Sequence, residues 1–320
     1  MIRRLLSPAL AVAFALALPL AVTRPDAQNT AILMLMTAQL GVAWNILGGY
    51  AGQVSLGHAA FFGCGAYVST FLFLQHGVTP WLGMIAGALA AAALSLLVGW
   101  PCFRLRGHYF AMATIAVGEI VQALVTNWDA LGGAVGLSLP VTESGWRGMV
   151  FNQSKLPYYY LALGLLALTL LVNHAVARSY VGYYFRAIKD EPDAARSLGI
   201  GLTRYKLVAI ALSSALTAAG GTLYAQKELF IDPGSVLATG LSIKISLAAI
   251  LGGVGTLFGP VVGAVVLTAI EEASRRWFGG SGRGTDLIVY GLLIIGIAVF
   301  RPEGIVGVVR RVRARAGAAA

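Results

Sequence analysis

Charge is scarce in this chain. Of its 320 residues only 11% are Asp, Glu, Lys or Arg, while 58% are hydrophobic and the mean hydropathy is +0.78. A soluble domain of this length needs far more charge to cover its surface, so that class is excluded. Cysteine is rarer still: Cys64 and Cys102 fall in or beside apolar stretches, about 40 residues apart, with no metal-ligand spacing, and read as small packing hydrophobes. The four histidines are scattered at 58, 76, 108 and 174. No H-E-x-x-H, no paired carboxylates within the apolar runs and no G-K-[ST] phosphate loop accompany them. The chain therefore lacks the residues for metal chemistry or for hydrolysing ATP by itself.

What remains is long apolar sequence. Runs such as "LALGLLALTLLV" and "LIVYGLLIIGIAVF" are apolar on every face, which places them in lipid or inside a bundle of similar helices. The fold class expected is all-α, a polytopic transmembrane helical bundle in a single domain, 1–320. About ten spans are expected, near 5–22, 29–47, 58–75, 81–100, 108–127, 157–176, 205–225, 237–254, 258–274 and 286–300. The Gly-rich "LGGVGTLFGP" joins the eighth and ninth, which could instead form a re-entrant hairpin. The first span has the basic start and apolar middle of a secretory signal, but Arg24 and Pro25 stand where cleavage would fall, so a retained helix is expected.

The formal net charge is +10, which nucleic acid or membrane orientation would both explain. Position decides between them. With a cytoplasmic N-terminus, 15 of the 23 Lys and Arg fall at residues 1–4, 101–107, 177–206 and 301–320, all on the inner side. The positive-inside rule then accounts for the charge without nucleic acid and places both termini in the cytoplasm. The basic tail 301–320 reads as an orientation determinant or a contact for anionic membrane lipid. Two outer loops are long enough to receive a partner: 128–156, with Trp128, Asp129, Glu143, Trp146, Arg147 and Lys155, and 226–236.

Several polar features interrupt the hydrocarbon. In "GGYAGQVSLGHAAFFGCGAY", residues 48–67, glycines let the backbone bend while Gln53, Ser55 and His58 put polar groups near a span's edge. Such groups are costly unless they face protein or a watery path. The segment reads both as a broken helix packed by small residues and as a wall of a translocation pathway. In "GGVGTLFGPVVG", Gly255, Gly259 and Gly263 recur every four residues, as in a helix-packing seam. "ILGG" occurs at 46–49 and again at 250–253, a hint of an internal repeat. Glu119 is the acidic residue placed well inside a predicted span, either as a pathway liner and proton carrier or as a carboxylate bonded within the bundle, with Lys244 as a candidate partner.

The inner loop 177–206 holds "RAIKDEPDAARSLGIG". Pro192 fits a first helical position, Asp190, Glu191 and Asp193 suit a helix N-terminus, and Gly199 fits a left-handed C-cap, so a short capped helix is expected. "DAARSLG" at 193–199 resembles the E-A-A-x-x-x-G element of permease subunits of ATP-binding-cassette importers for branched-chain amino acids, with Asp193 in place of Glu. The resemblance extends over "GQVSLGHAAFFGCGAYVST", "LRGHYFAMATIAVGEIV", "GGVGTLFGPVVGA" and "RPEGIVG", and is closer to the second of the two paired permeases than to the first.

The resemblance implies a coupling helix that docks on an ATPase subunit through Asp193, Ala194, Ala195 and Gly199, flanked by Arg186 and Lys189. It also implies a second homologous permease, two cytoplasmic ATPase subunits that use ATP, an extracytoplasmic solute-binding protein and a place in the bacterial inner membrane. It implies no cofactor in this chain and no enzyme activity. A proton-coupled secondary transporter using Glu119 is the alternative.

Overall fold

The computed structural model describes residues 24–278 apart from 106, 141–144 and 152–153, together with residues 19, 291, 292, 295, 304 and 305. The expected first and tenth spans, Glu143 and the basic tail lie outside the described residues, apart from isolated positions. Within them the chain is nearly all helix. The long helices are α1 (Pro25–Asn45), α2 (His58–His76), α3 (Pro80–Cys102), α4 (His108–Thr126) and α5 (Leu156–Arg178). Two surface helices follow, α6 (Tyr180–Asp190) and α7 (Pro192–Ser197), then α8 (Leu202–Glu228), the short α9 (Pro233–Val236), α10 (Thr239–Gly252) and α11 (Gly259–Phe278). A π-helical turn, Ile46–Tyr50, extends α1.

Six segments among the described residues are long and apolar enough to cross a membrane: Pro25–Tyr50, Pro80–Cys102, His108–Thr126, Leu156–Arg178, Leu202–Glu228 and Pro233–Gly252. The expected total of about ten is therefore not established. Two further expected spans are helices, α2 and α11, but His58, Gln75 and His76 dilute the ends of α2, and Glu271, Glu272, Arg275 and Arg276 charge the last turns of α11.

Small residues decide how these helices pack. In α3 the buried positions are Pro80, Gly83, Gly87, Ala91, Ser95, Gly99 and Cys102, a stripe that recurs every three or four residues on an otherwise largely exposed helix. A Cβ added at Gly87 would sit 3.1 Å from the backbone of Gly65, and one at Gly65 would sit 2.0 Å from the carbonyl oxygen of Ala218. Backbones of α2, α3 and α8 therefore touch directly, the van der Waals packing that replaces the hydrophobic effect in lipid. On the other side of α8, α1 packs against α5, α10 and α11. Cys102 is buried in the cluster around Phe103, Phe110 and Ile210, and Cys64 packs against it, as small hydrophobes do.

The loops gather at two opposite faces. At one, a two-stranded antiparallel ladder joins β1 (Leu137–Ser138) to β2 (Phe230–Ile231), with Leu137 opposite Ile231. The two loops expected outside thus meet each other. Trp81 Nε1 also donates to the carbonyl of Trp146 at 2.8 Å. At the opposite face lie the π turn, α6, α7 and the α10–α11 junction.

Packing through bare backbone makes a specific expectation. Gly65→Val would drive a side chain into Ala218 and cost about 3 kcal/mol or more, as overpacking does. Gly164, on α5 with open space around it, accepts Ala with a gain of about 0.5–1 kcal/mol in helix propensity. Thermal unfolding of the solubilised protein should drop sharply for the first and hold or rise for the second.

Candidate functional site

The end of α1 and the start of α2 do not form one helix. After the π turn the chain runs without regular structure through Gly52–Gly57, and Gly52 adopts φ 68° beside the Lys189 side chain, where a Cβ would sit 2.8 Å from Lys189 Cγ. A break inside an apolar bundle frees backbone groups that water cannot serve, so side chains must. Trp44 Nε1 donates to the carbonyl of Ser55 at 2.8 Å, Leu56 N donates to Thr114 Oγ1 at 3.0 Å, and Ala59 N donates to Ser242 Oγ at 2.7 Å.

His58, fully buried, braces the break. Ser213 Oγ gives its proton to the Ala43 carbonyl at 2.8 Å, so it can only accept from His58 Nε2, 2.9 Å away. The imidazole therefore carries its proton on Nε2 and accepts at Nδ1 from Ser55 Oγ at 3.1 Å. Ser55 is equally buried. These two residues hold the broken segment from behind, whereas Gln53 reaches a cavity of about 370 Å³ that it lines with Arg104, Arg196, Thr203 and Lys206. That cavity opens on the α6–α7 face.

The second Gly-rich segment meets the first. Asn45 Nδ2 donates to the Thr256 carbonyl at 3.0 Å and Asn45 Oδ1 accepts from Gly255 N at 2.8 Å. The two "ILGG" copies thus lie beside one another at a shared junction. Gly259 and Gly263 do form a close seam: a Cβ on Gly263 would sit 2.0 Å from the Ala248 carbonyl oxygen. Gly255 does not share that helix face, contrary to the spacing argument. It lies before α11 at φ 77°, after Gly253 at φ 125°, and these left-handed residues end the helical continuity on which the period depends.

Lys189 ties the surface to this junction. Its Nζ, at the end of α6, donates to the carbonyl of Gly49 in the π turn at 3.0 Å. Arg186, one turn earlier, donates through Nη2 to the Ala177 carbonyl at 2.5 Å, capping the end of α5. The two flanking cations therefore bind the chain's own backbone. Between Asp190 and Pro192 the chain turns into α7, the short helix expected from Pro192, which follows a separate helix, α6. Gly199, at φ 84°, closes α7 as a Schellman cap, with Ile200 N donating to the Ala195 carbonyl at 3.1 Å and Gly199 N to that of Arg196 at 2.9 Å.

The residues of α7 divide by side. Ala195 is buried and anchors it, while Asp193, Ala194 and Gly199 are exposed, with Asp193 Oδ1 3.9 Å from Arg196 Nη1. Beside them Tyr180, Tyr183 and Leu198 stand out, Leu198 at 82% exposure. Leu198 was not singled out from the sequence, although it sits inside "DAARSLG" as the one large apolar residue, which is a readable signal.

Glu119 stands apart from all this. It accepts from Thr239 Oγ1 but is otherwise exposed on α4, whose buried positions are Phe110, Thr114 and Gly118 alone. Lys244 is not its partner: Lys244 Nζ lies 2.5 Å from Glu271 Oε2. The sequence reading overlooked Glu271 and Glu272, which fall near the end of the ninth expected span.

Comparison with known proteins shows the family. The family model described as "Branched-chain amino acid transport system / permease component" matches residues 26–298. The chain is 30% identical over 318 residues to the high-affinity branched-chain amino acid transport system permease protein LivM of Salmonella typhimurium, covering 92% of this chain and 73% of that protein. It is 26% identical over 288 residues to the permease protein BraD of Pseudomonas aeruginosa, covering 84% and 91%. Against LivH of Salmonella typhimurium it is 25% identical over 290 residues, covering 84% and 91%. A match over most of the chain, together with its apolar helices, makes this protein a multi-pass membrane protein that belongs to the family of permease components of branched-chain amino acid transport systems.

Proposed function

We propose that the chain forms one half of the translocation pathway of an ATP-driven importer for branched-chain amino acids, as a single domain over 1–320 in a bacterial inner membrane with both termini cytoplasmic. The observation that carries this reading is the Lys189 to Gly49 bond, which fastens a solvent-facing capped helix pair to the backbone of a broken transmembrane helix. A protein without an ATP site needs such a part to receive work done elsewhere. Of the two cytoplasmic ATPase subunits, one docks on the exposed side of α7, through Asp193, Ala194 and Leu198. Gly199 sets the turn there and Ala195 holds the helix to the bundle. Displacement of α7 moves α6, and Arg186 and Lys189 pull on the end of α5 and on the π turn. The bundle then exchanges between outward and inward access, a two-state change biased by nucleotide on the partner subunits.

A second, homologous permease covers α4. Glu119 lies eleven residues into that helix, roughly 17 Å from its start, a depth at which a carboxylate facing lipid is costly. Protein or a watery path must therefore lie against it; Glu119 faces the solute there, Gln53 meets it at the cavity on the α6–α7 face, and Ser55 and His58 keep the break in shape. The β1–β2 face, on the outer side, receives the solute-binding protein. No cofactor, metal or nucleic acid enters this scheme, and the chain itself catalyses nothing.

ATP-dependent uptake of leucine, isoleucine and valine by the reconstituted complex is the direct test. Uptake driven by a proton gradient without ATPase subunits would replace this reading with a secondary carrier. For the docking surface, Leu198→Asp should leave membrane insertion intact and reduce ATPase co-purification at least tenfold, whereas retained co-purification assigns docking elsewhere. Gly199→Ala adds a methyl into open space but forces a left-handed φ, a cost of about 1 kcal/mol. It should weaken coupling without abolishing it, read as transport per ATP hydrolysed.

A further inference from the structure

A cavity of about 390 Å³ lies among α1, α2, α8, α10 and α11, apart from the Gln53 cavity and from the α4 face. Its mouth is at the β1–β2 face, marked by Asn29, Glu228 and Ser235, and it reaches inward to Leu40 and Phe62. Its wall carries both signs of charge. Lys244 Nζ is 2.5 Å from Glu271 Oε2, Arg275 Nη2 is 3.6 Å from Glu271 Oε1, and Arg275 Nη1 is 3.4 Å from Glu272 Oε1. Glu228, at the mouth, pairs with Lys227. The remaining network therefore holds two cations and two carboxylates and is electrically balanced.

Its depth makes this network unusual. Glu271 lies twelve residues into α11, roughly 18 Å along that helix, and Lys244, Glu271 and Glu272 are half-buried there while Arg275 is more exposed. Ionised side chains partly withdrawn from water are costly unless paired, and helix packing alone is met elsewhere in this chain by glycine seams. Below the charges the floor is aliphatic and aromatic: Met36, Leu40, Phe62 and Ile245 are each 5% exposed or less. A balanced ionic rim over an apolar floor matches one kind of small molecule, a zwitterion with a branched hydrocarbon side chain.

We infer that this cavity is a binding site for an aliphatic α-amino acid within the single permease subunit, ahead of the pathway shared with the second permease. The inference rests on the proposed function for its solute class. The carboxylate of the solute takes Lys244 and Arg275, its ammonium takes Glu271 and Glu272, and its side chain fills the floor. The exchange conserves charge, because each ion pair that opens is replaced by one to the solute. An analogue that keeps only one charge leaves a half-buried wall group without a partner, which is how a polar site rejects a near-isostere. The cavity is large enough for such a ligand.

The test uses the complete importer in lipid nanodiscs, with Cys64 and Cys102 replaced by alanine and Thr37→Cys introduced in the cavity wall. Leucine at concentrations that saturate uptake should slow labelling of that thiol by a small cationic thiosulfonate at least fivefold. Leucinamide, without the carboxylate, and isovalerate, without the ammonium, should leave the rate unchanged. A second arm reads the charges: the swap Lys244→Glu with Glu271→Lys keeps the ion pair between α10 and α11 and should preserve assembly, while raising the KM for leucine tenfold or more. Labelling indifferent to leucine, equal protection by all three compounds, or a swapped protein with the wild-type KM each overturns the inference. An importer that carries leucine under any of those outcomes keeps the proposed function. One that carries no leucine at all removes that function too.

Discussion

Everything at the α6–α7 face depends on satisfying backbone that a helix break has freed where water is excluded. Two Gly-rich breaks, at 51–57 and 253–258, would each leave unpaired amides and carbonyls in an apolar bundle, at several kcal/mol per group. They are tolerable because they meet. One side chain, Asn45, uses both ends of its amide to bridge them, accepting from Gly255 and donating to the Thr256 carbonyl. Lys189 then supplies the donor that the Gly49 carbonyl lacks. The same bond is both a structural necessity and a mechanical link, so the surface helices cannot shift without altering the satisfaction of the break.

Local features of this arrangement were legible in the sequence, because local physics sets them. Pro192, Asp193 and Gly199 stand where a short helix needs its start and its left-handed end, and the structure has both. The long-range partnerships were not legible. Nothing near His58 announces that Ser213, 155 positions away, fixes its tautomer, and nothing near Lys244 points to Glu271 rather than Glu119. Periodicity misled in one place: Gly255 keeps the four-residue spacing of Gly259 and Gly263 but belongs to a turn, because a spacing carries no information about φ. It was also underused in another, since Gly83, Gly87, Ala91, Ser95 and Gly99 form a longer stripe than the one singled out. Against a uniformly apolar background, only the interval between small residues distinguishes the packed face.

The break and the charged cavity lie at opposite ends of the same elements, and this gives their separation a mechanical meaning. Helix α1 carries Asn45 at the junction and Met36, Thr37 and Leu40 on the cavity wall. The α10–α11 pair carries Gly255 and Thr256 at the junction and Lys244 and Glu271 at the cavity. From Asn45 to Met36 is nine residues, roughly 14 Å of helix. A helix transmits axial displacement over that length with little loss, because its hydrogen bonds run along its axis. The ion pairs, by contrast, depend steeply on separation. A small shift at the junction therefore changes little along α1 and α11 themselves, and its largest energetic consequence falls on the charged contacts at their far ends.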